Sequence, residues 1–161
     1  MSNTPLLAAN FRAIGMTVGV LTFVVQTAGS RLALERMGLS VEGKIALVKY
    51  GGAFRGLKVK EAQDHGALGV LIYSDPADDG YMRGDIYPDG PMRPPSSIQR
   101  GSVQYLSIQP GDPSTPGGVP STATAKRLTR DQMNNLPKIP SLPISYREAE
   151  KLLRQLGAFD A

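Results

Sequence analysis

The chain has 161 residues, enough for one ordinary domain with a single core. A hydrophobic fraction of 41% and a charged fraction of 20% exclude a disordered polypeptide, and the absence of cysteine excludes disulfides, thiolate metal sites and cysteine nucleophiles. The net charge of +4 and pI near 9.5 come from scattered Lys and Arg with no dense basic block and no interleaved aromatics, which indicates a solvated, mildly basic surface and no nucleic-acid partner.

In chain order, the first marked feature is the apolar run from Ala13 to Val25, about 13 residues against the ~20 needed to cross a bilayer, so no transmembrane span is expected. Two readings stand for it. Arg12 before it and the small polar stretch Gln26 to Ser30 after it have the layout of a secretory leader, while Thr17, Val18, Val20, Thr22 and Phe23 suit a buried strand. Ser30 then caps a short helix that Gly38 ends.

Lys44 to Tyr50 is a short apolar run flanked by charge, a buried strand, and Gly51-Gly52 opens a loop. Gly56 to Gly66 reads as a helix with Leu57, Val59, Ala62 and Gln63 near its inner face. Leu68 to Ser74 is a second apolar run, and strand, helix, strand at this spacing is a parallel βαβ unit. Asp75 to Gln99 is rich in Asp, Gly and Pro and reads as a long surface loop, a place where function concentrates. The alternation around Val103 and Tyr105 predicts a strand over Ser102 to Ile108, followed by a Pro/Gly loop over 110–121. Pro137, Pro140 and Pro143 set an extended edge strand with Ile139, Leu142 and Ile144 inward. Ser145-Tyr146-Arg147-Glu148 is a capping box ahead of a helix carrying Ala149, Leu152, Leu153 and Leu156.

No constellation for acid, base or nucleophilic catalysis has recognisable spacing. The single histidine, His65, excludes a zinc centre built on two or three imidazoles and suits a helix C-terminal turn. Asp75, Asp78 and Asp79 lack the spacing of a calcium loop and stabilise turns. Neither G-x-G-x-x-G nor a P-loop is present.

The segments YGGAFRG, YSDPAD, YPDG, QRG, GDPSTPG and IPSLPIS, in this order, resemble the protease-associated domain of glutamate carboxypeptidase and transferrin-receptor-like zinc exopeptidases. The resemblance covers residues 30–157, leaving 1–29 as an atypical N-terminal segment and 158–161 as a tail. It implies an α/β domain with a mixed β-sheet flanked by helices, non-catalytic by itself, that acts as lid and substrate-recognition module for a peptidase domain in cis or in trans. A stand-alone peptide- or protein-binding module is the alternative, and the resemblance favours an extracytoplasmic location.

By motif position, Arg55 in FRG matches the arginine that reaches the terminal carboxylate of a peptide substrate, and Ser102 stands where the family has a substrate-contacting asparagine. Thr115 and Gly118 match positions whose backbone carbonyls hold a calcium ion completed by carboxylates of the peptidase domain. No cofactor is expected in this chain; zinc and calcium are expected only in a complete peptidase.

Overall fold

The structure is a computed structural model that describes residues 8–13, 16–23, 40–115, 117 and 120–156. Five strands form one sheet whose order follows the sequence. Strand β1 (Ala8–Ala13) runs antiparallel to β2 (Met16–Phe23). From there β2, β3 (Ile45–Lys49), β4 (Gly69–Tyr73) and β5 (Ser141–Pro143) are parallel, with Val20 opposite Ile45, Ile45 opposite Gly69 and Val70 opposite Ser141. The mixed sheet expected from the sequence is present, and the strand reading of the N-terminal apolar run holds for Met16–Phe23.

Helix α1 (Arg55–Asp64) links β3 to β4, as a parallel pair requires of its crossover. Alternating side chains on β3 and β4 divide the core into two layers. Ala46, Val48, Val70 and Ile72 meet Val59 and Ala62 of α1 on one face. Leu47 and Tyr73 meet Ala149 and Leu153 of the C-terminal helix α3 (Tyr146–Gln155) and its C-cap Leu156 on the other. Ser145 caps α3, its Oγ accepting from the Glu148 N–H at 3.3 Å, while the Glu148 carboxylate pairs with Lys151. A single helical turn, α2 (Pro76–Asp79), interrupts the expected 75–99 loop, with Asp75 as its N-cap accepting from the Ala77 N–H.

Three expectations need correction. Ser102 to Ile108 is not a strand: it is extended and then turns, because the Tyr105 N–H donates to the Asn135 carbonyl at 2.7 Å and so joins a loop and not the sheet. The alternation of Val103 and Tyr105 reflects their packing beside α1, where the Tyr105 hydroxyl donates to Gln63 Oε1 at 3.1 Å. Leu142 is not inward; it is 58% exposed on the edge strand, opposite Leu71. On α1, Leu57 is exposed and Lys58 is fully buried, the reverse of their hydropathy. The helix expected after Ser30 lies outside the described residues.

Candidate functional site

At the C-terminal ends of β3 and β4 the chain builds a small basic site around Arg55. The turn after β3 depends on Gly51 and Gly52, whose φ of 98° and 72° lie in the left-handed region. This turn delivers Phe54 as an extended N-cap, and Arg55 becomes the first residue of α1. Phe54 has no side-chain oxygen and the first turn of α1 holds no acidic residue, so nothing in the helix itself neutralises the guanidinium.

The segment from Gln99 to Gln104 passes over this end of α1 like a strap. Its far end is held by Gln104, whose Nε2 donates to the Gln109 and Gly111 carbonyls at 3.1 and 2.9 Å, and its near end by two hydrogen bonds to Gln99. The Tyr50 hydroxyl, just beyond β3, donates to the Gln99 carbonyl at 2.8 Å, and the buried Ser74 hydroxyl, just beyond β4, donates to Gln99 Oε1 at 3.1 Å. Glycine stands on both sides of the crossing, where the two segments approach closely. A Cβ on Gly56 would lie 2.8 Å from the Val103 carbonyl oxygen and overlap that of Gln104, and a Cβ on Gly101 would overlap Cζ and Nη2 of Arg55.

The guanidinium is thus enclosed by the Gly101 backbone and two rings, with Cζ 5.0 Å from the Phe54 centroid and 5.8 Å from that of Tyr50, inside cation–π range. Its Nη1 donates to the Ser102 carbonyl at 3.5 Å, the long limit of a hydrogen bond. Nε is buried with no partner among the described residues. A buried donor left in that state typically costs about 1–3 kcal/mol, and more where it belongs to a charged group. Of the two residues predicted to contact substrate, the structure therefore brings both to one place. The Ser102 hydroxyl accepts from the Gln104 N–H at 3.1 Å, and its side chain is exposed.

Tyr50, Gly101, Gln99 and Ser74 were not singled out from the sequence. The signal available for three of them was their place inside the YGGAFRG and QRG segments, and Ser74 lies within YSDPAD, but its anchoring role arises only through tertiary contact. Lys58, buried three residues on from Arg55, was also missed: burial, together with the charge of Lys49, pushes its ammonium down to about 8.

The acidic trio is held by cations. Lys49 lies 3.1 Å from Asp75 and 2.8 Å from Asp78, and Arg93 lies 2.7 Å from Asp79. Burial opposes the charge of Lys49, but the hydrogen bonds to Asp78 and Asp75 outweigh it and raise its pKa. His65 closes α1, its Nδ1 2.6 Å from the Glu61 carbonyl. Among the described residues no group of three His, Cys, Asp or Glu is placed to hold a metal ion. No helix among them is long and apolar enough to cross a membrane.

Of the two positions assigned to calcium, Thr115 is buried and Gly118 lies outside the described residues. The Thr115 N–H donates to the Asp112 carbonyl at 3.2 Å, and no described donor reaches the Thr115 carbonyl. The neighbouring carboxylate, Asp112, is already engaged by Ser114, Ser121 and the Arg127 guanidinium, the last at 2.8 Å. Those hydrogen bonds, with Ser121 first and Arg127 last, hold it well below the usual carboxylate range. The described residues fit calcium only as carbonyl donors, with no carboxylate to spare for it.

Comparison with known proteins agrees with this architecture. The family model described as the PA domain matches residues 12–106. A probable glutamate carboxypeptidase of Arthroderma benhamiae is 53% identical over 94 residues, covering 54% of this chain and 13% of that protein. Vacuolar protein sorting-associated protein 70 of Saccharomyces cerevisiae is 40% identical over 128 residues, covering 77% of this chain and 16% of the yeast protein. The mouse aminopeptidase NAALADL1 is 40% identical over 132 residues, covering 80% and 17% respectively. The chain spans less than a fifth of the length of these relatives.

Proposed function

Because the chain belongs to the PA domain family, we propose that it is a non-catalytic lid and substrate-recognition module for a glutamate carboxypeptidase-like zinc peptidase domain, and that Arg55 receives the terminal carboxylate of a peptide. The observation that supports this is the state of Arg55 itself. A guanidinium stacked on two rings, pressed on a glycine and lacking any carboxylate partner among the described residues is already ordered for an incoming one. Pre-ordering matters because a free arginine side chain loses about 2 kcal/mol of rotamer entropy when fixed. Arg suits the task because its planar fork matches a carboxylate in two parallel hydrogen bonds. The Ser102 hydroxyl, exposed beside it, supplies a further donor of short reach.

In this reading the peptidase domain, in cis or in trans, supplies the zinc ligands and the general base. The backbone carbonyls of Thr115 and Gly118 would serve as ligands for a calcium ion whose carboxylates come from that domain. A protein-facing role also fits the loop after α2, where Met82 is 67% and Tyr87 77% exposed. The segment carrying Tyr87 is tied back by hydrogen bonds from the Met92 N–H to the Asp85 carbonyl and from the Gly90 N–H to the Ile86 carbonyl, so Tyr87 is presented on a closed turn, while Met82 stands on the short helical turn before it. The same feature would serve the alternative reading, a stand-alone protein-binding module.

The test is a chimera in which this chain replaces the matching segment of the Arthroderma glutamate carboxypeptidase. Arg55→Ala should raise KM for peptides ending in a free carboxylate by roughly tenfold or more, the loss of one charge-assisted contact, while kcat changes less. An unchanged KM would sink the assignment.

A further inference from the structure

We propose that Tyr50 is a positioning residue for Arg55: its hydroxyl fastens the Gln99–Gln104 strap to the end of β3, and the strap in turn sets the orientation of the guanidinium. The inference rests on the reading of Arg55 as a carboxylate receptor, and it deepens that reading by naming what keeps the receptor aligned.

Three observations lead to it. First, the only hydrogen bond from Arg55 to the strap is the 3.5 Å contact of Nη1 with the Ser102 carbonyl, too long to fix a four-bond side chain, and Nε has no partner among the described residues. Orientation must therefore come from shape, from the rings of Phe54 and Tyr50 and the backbone of Gly101. Second, of these surfaces Gly101 belongs to a segment without regular secondary structure, so its place depends on how that segment is tethered. Third, Gln104 ties the strap only to the neighbouring loop, through the Gln109 and Gly111 carbonyls, and the tethers to the ends of β3 and β4 meet at one residue two positions from Gly101. Gln99 receives the Tyr50 hydroxyl on its backbone carbonyl and the Ser74 hydroxyl on its side-chain amide oxygen.

The two tethers are unequal. The Ser74 contact reaches the strap through the rotatable Gln99 side chain, whereas the Tyr50 contact grips the main chain directly at 2.8 Å. The Tyr50 ring is partly buried against the core that backs α1, so the hydroxyl is carried on a fixed lever. Core packing explains why an aromatic ring stands at position 50. It does not explain why the ring carries a hydroxyl aimed at the strap, and Phe would fill the same space. Tyr50 thus acts on the guanidinium twice, directly by its ring and indirectly by holding Gly101 beneath it.

The experiment uses the full chain and three variants, Tyr50→Phe, Tyr50→Leu and Ser74→Ala, with the Arg55 Nε–Hε cross-peak as the readout in a nitrogen-edited proton spectrum. In the parent chain that proton should exchange with solvent at least roughly tenfold more slowly than that of exposed Arg147, because Nε is buried. Tyr50→Phe should bring the exchange to within about twofold of Arg147 while the amides of Leu47 and Ile72 keep their protection. Tyr50→Leu should do the same and also shift the cross-peak through loss of the ring. Ser74→Ala, which leaves the Tyr50 tether in place, should loosen Arg55 by a smaller factor, about threefold; should Tyr50→Phe not fold, a Ser74→Ala chain in which Arg55 exchanges as fast as Arg147 overturns the proposal, because the intact Tyr50 tether would then not hold the guanidinium.

The proposal is overturned if Tyr50→Phe leaves Arg55 as protected as in the parent, or if core amides lose protection in step with it, since that would make Tyr50 merely structural. Titration with N-acetyl-L-glutamate separates the two readings. A wild-type cross-peak that this probe never moves counts against the carboxylate role of Arg55, whereas loosening in Tyr50→Phe stands or falls independently of it.

Discussion

The backbone of Gly101 lies against the guanidinium of Arg55 so closely that a methyl group at position 101 would occupy the space of Cζ and Nη2. The obstruction is the far end of a flexible side chain, so the cheapest relief is for Arg55 to swing away and not for the strap to lift. Gly101→Ala should therefore change thermal stability by less than about 1 kcal/mol, well under the 1–3 kcal/mol typical of an overpacked core. The same substitution should weaken carboxylate-ended substrates in the chimera about as much as Arg55→Ala does. Retained KM with retained stability would show that the guanidinium tolerates displacement.

Gly56 offers the contrast. A Cβ there meets the carbonyl oxygens of Val103 and Gln104, backbone atoms that cannot rotate out of the way. Ala is a better helix former than Gly by about 1 kcal/mol, yet Gly56→Ala should lower stability by about 1–3 kcal/mol because the strap must shift bodily. A denaturant midpoint equal to or above that of the parent would contradict the packing described here.

Most of the scaffold was legible in the sequence because continuous apolar runs, glycine turns and a serine cap act locally. Leu47 and Val48, Val70 to Tyr73, and Ser145 with its helix all fell where short-range signals put them. The misreading of Ser102–Ile108 has a different origin. Period-two alternation reports which side chains are buried, and a strap clamped over a helix alternates as a strand does, with Val103 and Tyr105 inward. The sequence pattern leaves Lys58 out of the inner face because charge is ordinarily solvated, but the helix phase fixed by Val59 and Ala62 carries position 58 inward as well. Arg55 and Ser102 were found through their motifs. The parts that orient them, Tyr50, Gln99 and Ser74, are 25 or more residues apart along the chain in the contacts that matter, Ser74 with Gln99 and Tyr50 with Gln99, and no local pattern encodes such pairs.

Lys58 predicts a pH signature. Its folded-state pKa is lowered to about 8 from the ordinary 10.5, so between these values the unfolded chain binds more protons than the native one. The contribution of this group to stability is unfavourable below about 8 and improves as pH rises toward 10.5. Replacing it by an apolar side chain of similar length removes the dependence. The stability of Lys58→Met relative to the parent should be most favourable at neutral pH and should decline steadily between pH 8 and 10.5. Paired denaturation curves at the two ends of the window give the answer, and a difference independent of pH would mean that Lys58 titrates normally.

The clasp around Asp112 governs the loop that carries Thr115. Its carboxylate accepts from the Ser114 N–H at 2.8 Å and the Ser114 hydroxyl at 2.7 Å, and it meets Ser121 and Arg127, while the Leu128 N–H donates to the Ser114 carbonyl at 2.8 Å. Because the folded pKa lies below the unfolded one, the clasp is at full strength above the ordinary carboxylate pKa of about 4 and is lost only as pH falls through the lower folded value. Asp112→Asn keeps the size of the side chain but removes the charge that holds Arg127. The exposed segment Lys126-Arg127 should then become a better substrate for trypsin, with cleavage after these residues accelerated roughly fivefold at neutral pH. Parent chain held at pH 4 and returned to neutrality should show no such acceleration, nor should hydrogen exchange measured at pH 4 reveal an opened loop. Equal cleavage of parent and variant would mean that the segment is held by its backbone contacts alone, and that the charge of Asp112 contributes nothing to presenting Thr115.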